Sequence, residues 1–448
     1  MKIIGIKKSV VKTLTSLLAS SNVTISRESC LLTIKASEKT RFSPPLRDCI
    51  YFILNFLENN YHITLRGFPF CFIPEALDHA LDLRYKNDSL TLSHICSRCE
   101  YKRFCQAKDL RNSSFTPCNL KSCPSEIAME LTKRCNQSCN FCFSRVDKPS
   151  QLMLPLQKIV STVEEMKTLG IRQIRFTGGE PLLRKDLFSI IRFAKLKGLY
   201  VFLNTNGSLL NERTIEKLEN YTDNVLISLC IETHQNCSRN QTNNYRLKQK
   251  LYLLSKLLRS KIPHIRVGTV ISRDLIKYFA SYANTLDRIG IKTWELYRPM
   301  VSPLQIKRYP EYALKKDNFL ELFKLISKFN GRSLKEVYVA NALPFCVTND
   351  IQDKTFLRGS VSDDGHSRLV LDSNGYFKPS YSINVNLGTE ILNSWKHPFL
   401  KKLRSFSYLS EQCLSCPYLQ WCKGGSRYLA QEYYKDFFKN DPLFTEEE

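Results

Sequence analysis

Cysteines at close, regular spacing are the residues of this chain that could do chemistry. Two stretches share one pattern, C-x-x-C-x-Y-x-x-aromatic-C, and they are CSRCEYKRFC at 96–105 and CLSCPYLQWC at 413–422. A third stretch, CNQSCNFC at 135–142, spaces its cysteines as C-x3-C-x2-C. Thiolates at such intervals can bind zinc or an iron-sulfur cluster, and cysteines at short intervals also form disulfides in secreted proteins. Spacing alone leaves these three interpretations open.

Composition and the N-terminus favour metal binding over disulfides. The chain has 448 residues and 17 cysteines, and Lys12 interrupts the apolar run that a secretory signal requires. So many cysteines without a convincing export signal point to a reducing compartment, and we expect a cytoplasmic protein. In such a compartment grouped thiols are more often metal ligands than disulfides. No apolar run reaches the roughly 20 residues of a membrane span, and we expect no membrane partner. The net charge of +24 suggests an acidic partner, although the basic residues form no long runs.

The third stretch could bind a cluster in which one iron has no protein ligand. Three thiolates, from Cys135, Cys139 and Cys142, would leave one iron of a [4Fe-4S] cubane without a protein ligand. An open iron is what a cluster needs to chelate and reduce a small molecule. A zinc knuckle or buried thiols would be the structural alternatives.

CNQSCNFC resembles the signature of the radical S-adenosylmethionine (SAM) superfamily. The resemblance implies that SAM binds the open iron through its amino and carboxylate groups. It also implies that an electron, from a donor such as flavodoxin or ferredoxin, cleaves SAM to methionine and a 5'-deoxyadenosyl radical that abstracts a substrate hydrogen. Cys135, Cys139 and Cys142 would be the catalytic cluster ligands, and Phe141 would contact the cofactor.

Elements that could position this loop follow it along the chain. Short β-rich runs alternate with longer helical patterns, as in parallel βα units. Six runs are predicted to be strands, at residues 126–131, 172–176, 199–204, 225–230, 264–271 and 292–297. They predict an α/β fold with a partial (βα)6 TIM-like barrel. Ligand chemistry in such folds occurs at the carboxyl ends of strands, where the cysteine loop, TGGEP and TNG follow the first three strands.

TGGEP resembles the glycine-rich motif of the same superfamily. Gly178 and Gly179 would let the backbone approach a ligand closely, and by the resemblance Glu180 holds the methionine amino group of SAM. Asn206 and Ser228 stand at strand ends that often contact SAM or substrate in the family. Ordinary turn chemistry is the alternative for each of these positions.

The region after the barrel resembles the auxiliary-cluster extension called SPASM or, in its shorter form, twitch. The resemblance rests on the order of VANALPFC, GYFKPSY, NLGTEILNSW, the cysteines of 413–422 and GGSR. It implies an auxiliary cluster on Cys413, Cys416 and Cys422. We favour Cys346 as the fourth ligand, with a carboxylate such as Asp441 or the substrate as alternatives.

The chain departs from the family pattern at three positions. Ser380 and Ser426 stand where a full SPASM domain has cysteines, so we expect one auxiliary cluster in this region and not two. Many relatives have an aspartate two residues after the serine of strand four, where this chain has Cys230 and offers Glu232 further on. A substrate role for that aspartate is therefore in doubt.

The N-terminal region repeats the cysteine pattern before the barrel. Cys96, Cys99 and Cys105 predict a second auxiliary iron-sulfur cluster, with Cys118 or Cys123 completing it, and a zinc site is the alternative. Residues 1–85 could form a peptide-binding module, as leader-binding domains do in some relatives. The predicted domains are 1–123, 124–330 for the barrel and 331–448 for the auxiliary cluster.

These features predict an iron-sulfur oxidoreductase that modifies a peptide or protein side chain, because SPASM-like extensions commonly accompany peptide maturation. RNA modification, suggested by the basic charge, and cofactor biosynthesis are alternative functions. An iron-sulfur electron carrier or sensor would explain the cysteines but not TGGEP.

Overall fold

A computed structural model describes residues 18, 23–28, 31–36, 50, 62–66, 123–142, 151–229, 241–348, 356–360 and 363–444. The chain divides into two compact units. One unit comprises Met1–Ser122 with Asp350–Thr355, and the other comprises Cys123–Asn349 with Phe356–Glu448. The second unit contains all of the described candidate site residues. The domain boundary drawn at residue 330 stays a prediction.

The first unit contains a three-stranded sheet in the order β1-β2-β3. Strand β1 (Val23–Glu28) pairs antiparallel with β2 (Leu31–Ala36), and β2 pairs parallel with β3 (His62–Arg66). The cysteines of 96–105 and Cys118 lie outside the described residues, so the N-terminal cluster stays a prediction.

The second unit is built on a nine-stranded sheet in the order β10-β9-β8-β7-β6-β5-β4-β11-β12. Its strands are β4 (Glu126–Glu130), β5 (Gln173–Thr177), β6 (Tyr200–Thr205), β7 (Asn224–Ser228), β8 (His264–Val270), β9 (Thr293–Tyr297), β10 (Glu336–Val339), β11 (Arg368–Leu371) and β12 (Phe377–Lys378). Neighbours from β10 to β11 pair in parallel, and β12 pairs antiparallel with β11.

Helices connect and cover these strands. They are α1 (Leu156–Leu169), α2 (Leu187–Leu196), α3 (Glu212–Glu219), α4 (Gln241–Leu257), α5 (Arg273–Lys277), α6 (Phe279–Ile289), α7 (Pro303–Arg308), α8 (Lys316–Lys328), α9 (Ile391–Trp395), α10 (Pro398–Ser405), α11 (Glu411–Ser415), α12 (Leu419–Cys422) and α13 (Arg427–Tyr434). No described helix combines the length and the apolar character that crossing a membrane requires.

Strands β4 to β9 are the six predicted strands, with ends shifted by one or two residues. The predicted α/β fold with a partial barrel is therefore confirmed. Strands β10, β11 and β12 extend the sheet at both edges and are not among the predicted strands. They are only two to four residues long, too short for an alternating pattern to stand out.

Successive side chains of a strand point to opposite faces of the sheet, and the two faces of this sheet differ in composition. Trp294 of β9 stacks on Phe279 of α6 with ring centroids 5.4 Å apart, so this face packs against helices. The face is apolar and fully buried at Ile127, Met129, Ile174, Phe176, Val201, Leu203, Val225, Val267 and Leu296. Burying each such side chain contributes about 1.5–3 kcal/mol, which makes this face the main core of the unit.

The opposite face carries buried charges. The guanidinium Nε atoms of Arg175 and Arg368 each lie 2.7 Å from Oε1 of Glu126. Burial raises the pKa of Glu126, but the two arginines outweigh it and lower this pKa to about 2. Arg266 of β8 pairs with Glu295 of β9 in the same way. The sheet therefore encloses ion pairs and not a second apolar core.

A further buried ion pair ties the C-terminal tail to the sheet. Arg298 follows β9, and its Nη1 and Nη2 lie 2.7 and 2.9 Å from the two carboxylate oxygens of Asp441. The backbone of Ser426 also donates to Asp441, at 2.7 Å. The segment that carries the second cysteine pattern is thereby fixed against the barrel strands.

Candidate active site at the carboxyl edge of the sheet

Three loops meet where the first three barrel strands end. The loop after β4 carries CNQSCNFC, the turn after β5 is TGGEP, and the loop after β6 is TNG. The backbone N–H of Gly179 donates to the Thr132 carbonyl at 2.6 Å, and that of Glu180 donates to the Arg134 carbonyl at 2.7 Å. The glycine turn is thus hydrogen-bonded to the residues that lead into the cysteine loop.

The two glycines of the turn are required by this contact. A Cβ atom on Gly179 would lie 2.0 Å from the Arg134 carbonyl oxygen, and one on Gly178 would lie 2.5 Å from the Thr132 oxygen. Gly178 also has a φ of 136°, which disfavours residues with side chains. In the structure both glycines lie close to the chain's own cysteine loop, and their approach to a ligand stays a prediction.

Glu180 joins the turn to the loop after β6. Its Oε1 accepts from the Thr205 hydroxyl at 2.6 Å and from the Leu182 N–H at 3.1 Å, and its Oε2 accepts from the Asn206 N–H at 2.8 Å. The side chain is fully buried, and burial raises its pKa while these three donors lower it. Protein groups therefore fill three of about four acceptor positions on this carboxylate. Its predicted contact with the SAM amino group stays a prediction.

Asn206 reaches the cysteine loop directly. Its Nδ2 lies 3.9 Å from the Sγ of Cys135 and 3.0 Å from the Oδ1 of Asn136. The Nδ2 of Asn136 in turn donates to the Ser208 hydroxyl at 2.8 Å. A polar network therefore connects the loop after β6 to the first cysteine.

The cysteine loop itself is open to ligands. Cys135 is exposed, and Cys139 and Cys142 are half-buried. Burial raises the pKa of Cys135, the Glu180 charge raises it further, and the hydrogen bond from Asn206 opposes both. Phe141 packs edge-on against Tyr312 with centroids 5.7 Å apart.

These residues fit an iron-sulfur cluster. Within the described ranges no three His, Cys, Asp or Glu side chains converge as ligands of a single ion do. A cubane binds one thiolate at each of several irons, so its cysteines need not converge on one point. Three accessible thiols on one short loop, with an amide donor facing the first, suit such a cluster.

Four thiols of the C-terminal region lie near one another. Burial raises the pKa of Cys422 to about 12, and Cys346 and Cys416 act on its thiol in the same direction. Burial likewise raises the pKa of Cys413, with further contributions from Cys346 and Cys416. Cys346 thus belongs to the neighbourhood of the three pattern cysteines, from which it is distant in sequence.

Aromatic packing holds these two segments together. Phe345 stacks on Tyr418 with centroids 5.2 Å apart, and Tyr418 lies 6.4 Å from Trp421. The backbone of Ser360 donates to the Trp421 carbonyl at 2.7 Å. Tyr418, the tyrosine of the cysteine pattern, therefore contacts the segment that carries Cys346.

The carboxylate of Asp441, the alternative fourth ligand, already has other partners. Besides its ion pair with Arg298, its carboxylate accepts from the backbones of Ser426 and Leu443 at 2.7 and 2.8 Å. Ser426, at a position where the family has cysteine, accepts from the Leu429 N–H at 3.2 Å and begins α13. Ser380, at the other such position, accepts from the Ile383 N–H at 3.3 Å. Both serines make structural hydrogen bonds.

One described candidate residue has no contact with this network. Ser228 ends β7 and is exposed at the carboxyl edge of the sheet. Cys230 and Glu232 lie outside the described residues. Asn136, Thr205 and Ser208 belong to the network but not to the predicted site residues. A polar residue between two motif cysteines, as Asn136 is, is the one sequence signal of such a loop contact.

A parallel sheet with a three-cysteine loop at its carboxyl edge defines a βα-barrel protein that does its chemistry at strand ends. Residues 129–286 match the model of the radical SAM superfamily. The chain therefore carries a radical SAM domain, as the cysteine signature predicts. The cofactors of this superfamily are a [4Fe-4S] cluster and SAM.

Known relatives differ in their named activities. The chain is 41% identical over 93 residues to the GTP 3',8-cyclase of Aquifex aeolicus, covering 19% of this chain and 29% of that protein. It is 22% identical over 344 residues to the AdoMet-dependent heme synthase of Oleidesulfovibrio alaskensis, covering 71% of this chain and 86% of the relative. It spans less than half the length of the GTP 3',8-cyclases it matches.

Solved structures share the fold. Streptococcus suis SuiB bound to SAM superposes with a TM-score of 0.55 at 16% identity, covering 71% of this chain and 76% of SuiB. SuiB bound to the precursor peptide SuiA gives a TM-score of 0.53 at 17% identity, with 73% and 76% covered.

Proposed function

We propose that the protein is a radical SAM enzyme that modifies a side chain of a peptide or protein. The observation that carries the proposal is the clamp between the cysteine loop and the glycine turn, made by the backbone N–H groups of Gly179 and Glu180. The clamp holds three thiols at the carboxyl edge of a parallel sheet, where barrel folds carry out their chemistry.

Cys135, Cys139 and Cys142 would hold the [4Fe-4S] cluster. When bound, the cluster supplies the electron that cleaves SAM to methionine and a 5'-deoxyadenosyl radical. Phe141 and Ser228 would border the cofactor space from the loop and from the end of β7. Glu180 would act on the SAM ammonium mainly through its buried negative charge, because protein donors already occupy most of its acceptor positions.

We propose a second cluster on Cys346, Cys413, Cys416 and Cys422. The proposal is supported by the mutual electrostatic effects of these thiols and by the stacking of Phe345 on Tyr418. Cysteine thiolates, and not Asp441, would complete the site, because the Asp441 carboxylate is paired with Arg298.

The peptide substrate is supported by SuiB, which shares the fold and has been solved with a precursor peptide. Small-molecule or cofactor biosynthesis is the second candidate, because the names of the GTP cyclase and heme synthase relatives describe small-molecule chemistry. The proposal includes a cytoplasmic location and a flavodoxin- or ferredoxin-type electron donor, since the motif thiols need a reducing compartment.

The test is SAM cleavage by the reconstituted, reduced protein. We expect formation of 5'-deoxyadenosine by the wild type and its loss when Cys135, Cys139 and Cys142 are together replaced by alanine. Ser380→Ala is the matched control. Ser380 has a structural role, since its hydroxyl accepts from the Ile383 N–H, so its replacement should leave the product yield unchanged. Wild-type yield from the triple variant would reject the assignment.

Salt dependence separates the substrate classes. A short peptide neutralises few basic groups, so its affinity should fall only modestly with salt. An RNA would release many counterions, and its log affinity would fall steeply with log salt. A steep slope shared by unrelated RNAs would favour RNA modification over peptide modification.

A further inference from the structure

The side-chain amide of Asn206 is oriented by its neighbours. Its Oδ1 accepts from the backbone N–H of Ser208 at 2.9 Å and from the Ser208 hydroxyl at 2.5 Å. A backbone N–H can only donate, so the amide atom that faces it must be the oxygen. The NH2 group is thereby directed at the cysteine loop, where it meets Cys135 and Asn136.

The backbone of Asn206 is fixed as well. Its N–H donates to the fully buried carboxylate of Glu180 at 2.8 Å. The hydroxyl of Thr205 donates to the same carboxylate and accepts from the Gly207 N–H at 3.1 Å. Three loops therefore contribute to the position of one amide donor.

We propose that Asn206 sets the reduction potential of the barrel cluster by donating an N–H hydrogen bond to the Cys135 sulfur. This inference rests on the proposed function, because it requires a cluster on Cys135. Asn136 and Ser208 are positioning residues, since they act by orienting the Asn206 amide.

The physical reason is that reduction adds negative charge to the cluster and its thiolates. A hydrogen bond to a more negative acceptor is stronger, so an N–H donor stabilises the reduced state more than the oxidised state. Hydrogen bonds to the ligating sulfurs are among the factors that set iron-sulfur potentials. Removing this donor should therefore lower the potential and make reduction harder.

This inference differs from the role predicted by resemblance, in which Asn206 contacts SAM or substrate. In the structure the Asn206 NH2 group has two protein acceptors, the Asn136 oxygen at 3.0 Å and the Cys135 sulfur at 3.9 Å. The effect should therefore appear in the absence of SAM, where a ligand-contact role would leave the potential unchanged.

The experiment is an EPR-monitored redox titration of the reconstituted full-length chain without SAM. The barrel signal is identified as the one missing from the variant that lacks Cys135, Cys139 and Cys142. Asn206→Ala should reduce the equilibrium constant for one-electron reduction about tenfold, a shift of 59 mV. Asn206→Asp should lower the potential further, because it adds a negative charge beside the sulfur.

Ser208→Ala tests the positioning role. It leaves the Asn206 amide in place but removes one of the donors that orient it, so the potential should fall by less than in Asn206→Ala. Asn220→Ala, at an exposed asparagine that ends α3, is the matched control and should leave the potential unchanged.

The outcomes are distinct. A wild-type potential in Asn206→Ala and Asn206→Asp, with full iron content, overturns the inference. Loss of iron from both variants and from Ser208→Ala also overturns it, because Asn206 would then be a folding residue. A wild-type chain without a barrel signal refutes the proposed function itself. This result differs from the others because every variant would then lack the signal as well.

Discussion

Replacing Gly179 by alanine tests whether the glycine turn serves the cysteine loop. The added Cβ would lie 2.0 Å from the Arg134 carbonyl oxygen, 2.5 Å from the Arg134 carbonyl carbon and 2.9 Å from the Lys133 oxygen. An ordinary contact starts at 3.4 Å, so the two backbones must separate by about 1.4 Å to reach one. The obstacle is backbone and cannot rotate away, as the end of a flexible side chain could.

A separation of this size also breaks hydrogen bonds. The bonds at risk are those from Gly179 to Thr132, at 2.6 Å, and from Glu180 to Arg134, at 2.7 Å. Two lost hydrogen bonds cost about 2 kcal/mol, and overpacking adds about 1–3 kcal/mol. We expect Gly179→Ala to lower the free energy of unfolding by about 3–5 kcal/mol and to reduce the iron bound at the barrel.

Urea denaturation and iron analysis of the reconstituted variant provide the measurement. Gly198→Ala is the control: a Cβ there would meet no heavy atom within 4 Å, so only the strain of its φ of 84° remains. That strain costs about 1–2 kcal/mol and should spare the iron. If Gly179→Ala were no less stable than Gly198→Ala and kept its iron, the glycine would not be needed for the loop contact.

Three further predictions concern the buried charges and the second cluster. The pKa of Glu126 is lowered from 4.5 to about 2, so its ionised form should contribute about 3 kcal/mol to the free energy of unfolding above pH 4.5. This contribution should be lost as the pH falls toward 2, and the urea midpoint of Glu126→Gln should not show that decrease. Cys346→Ala should lower iron by about four atoms per chain while 5'-deoxyadenosine still forms, and unchanged iron would indicate a different fourth ligand. Arg298→Ala leaves Asp441 buried without its cation, which should cost about 3–5 kcal/mol in the free energy of unfolding. An unchanged urea midpoint in that variant would mean that the pair does not fix the C-terminal tail.

Long-range contacts account for most of what the sequence could not predict. The six barrel strands are predictable because each has a local pattern of β-rich residues between turn signals. Strands β10 and β11 form because they pair with β9 and β4, which are distant in sequence. Such pairing does not produce a pattern in the residues of the short strand itself. The proximity of Cys346 to Cys413 and Cys422 is of the same kind, although the order of motifs indicated it.

Polar side chains inside the sheet were harder still to predict. In RQIRF the charged Arg175 alternates with buried Ile174 and Phe176, a pattern that is also typical of a strand with one solvated face. The ion pair of Arg175 with Glu126, on the neighbouring strand β4, shows that the charge is internal, and Arg368 of β11 shares the same carboxylate. The glycines of TGGEP lie close to the backbone of the cysteine loop, a contact that the sequence does not indicate, and their approach to a ligand stays a prediction.

The site brings a buried carboxylate close to its cysteine thiols. Burial raises the pKa of Cys135, and the fully buried Glu180 and the thiol of Cys139 act in the same direction. Hydrogen bonds from Thr205 and Asn206 keep the Glu180 carboxylate in place but add no positive charge. Iron would compensate the thiolates, because metal ligation deprotonates cysteine outright, and a ligand ammonium near the turn would compensate the carboxylate. The loop and the turn therefore concentrate negative charge that a cationic cofactor and its positively charged ligand would stabilise together.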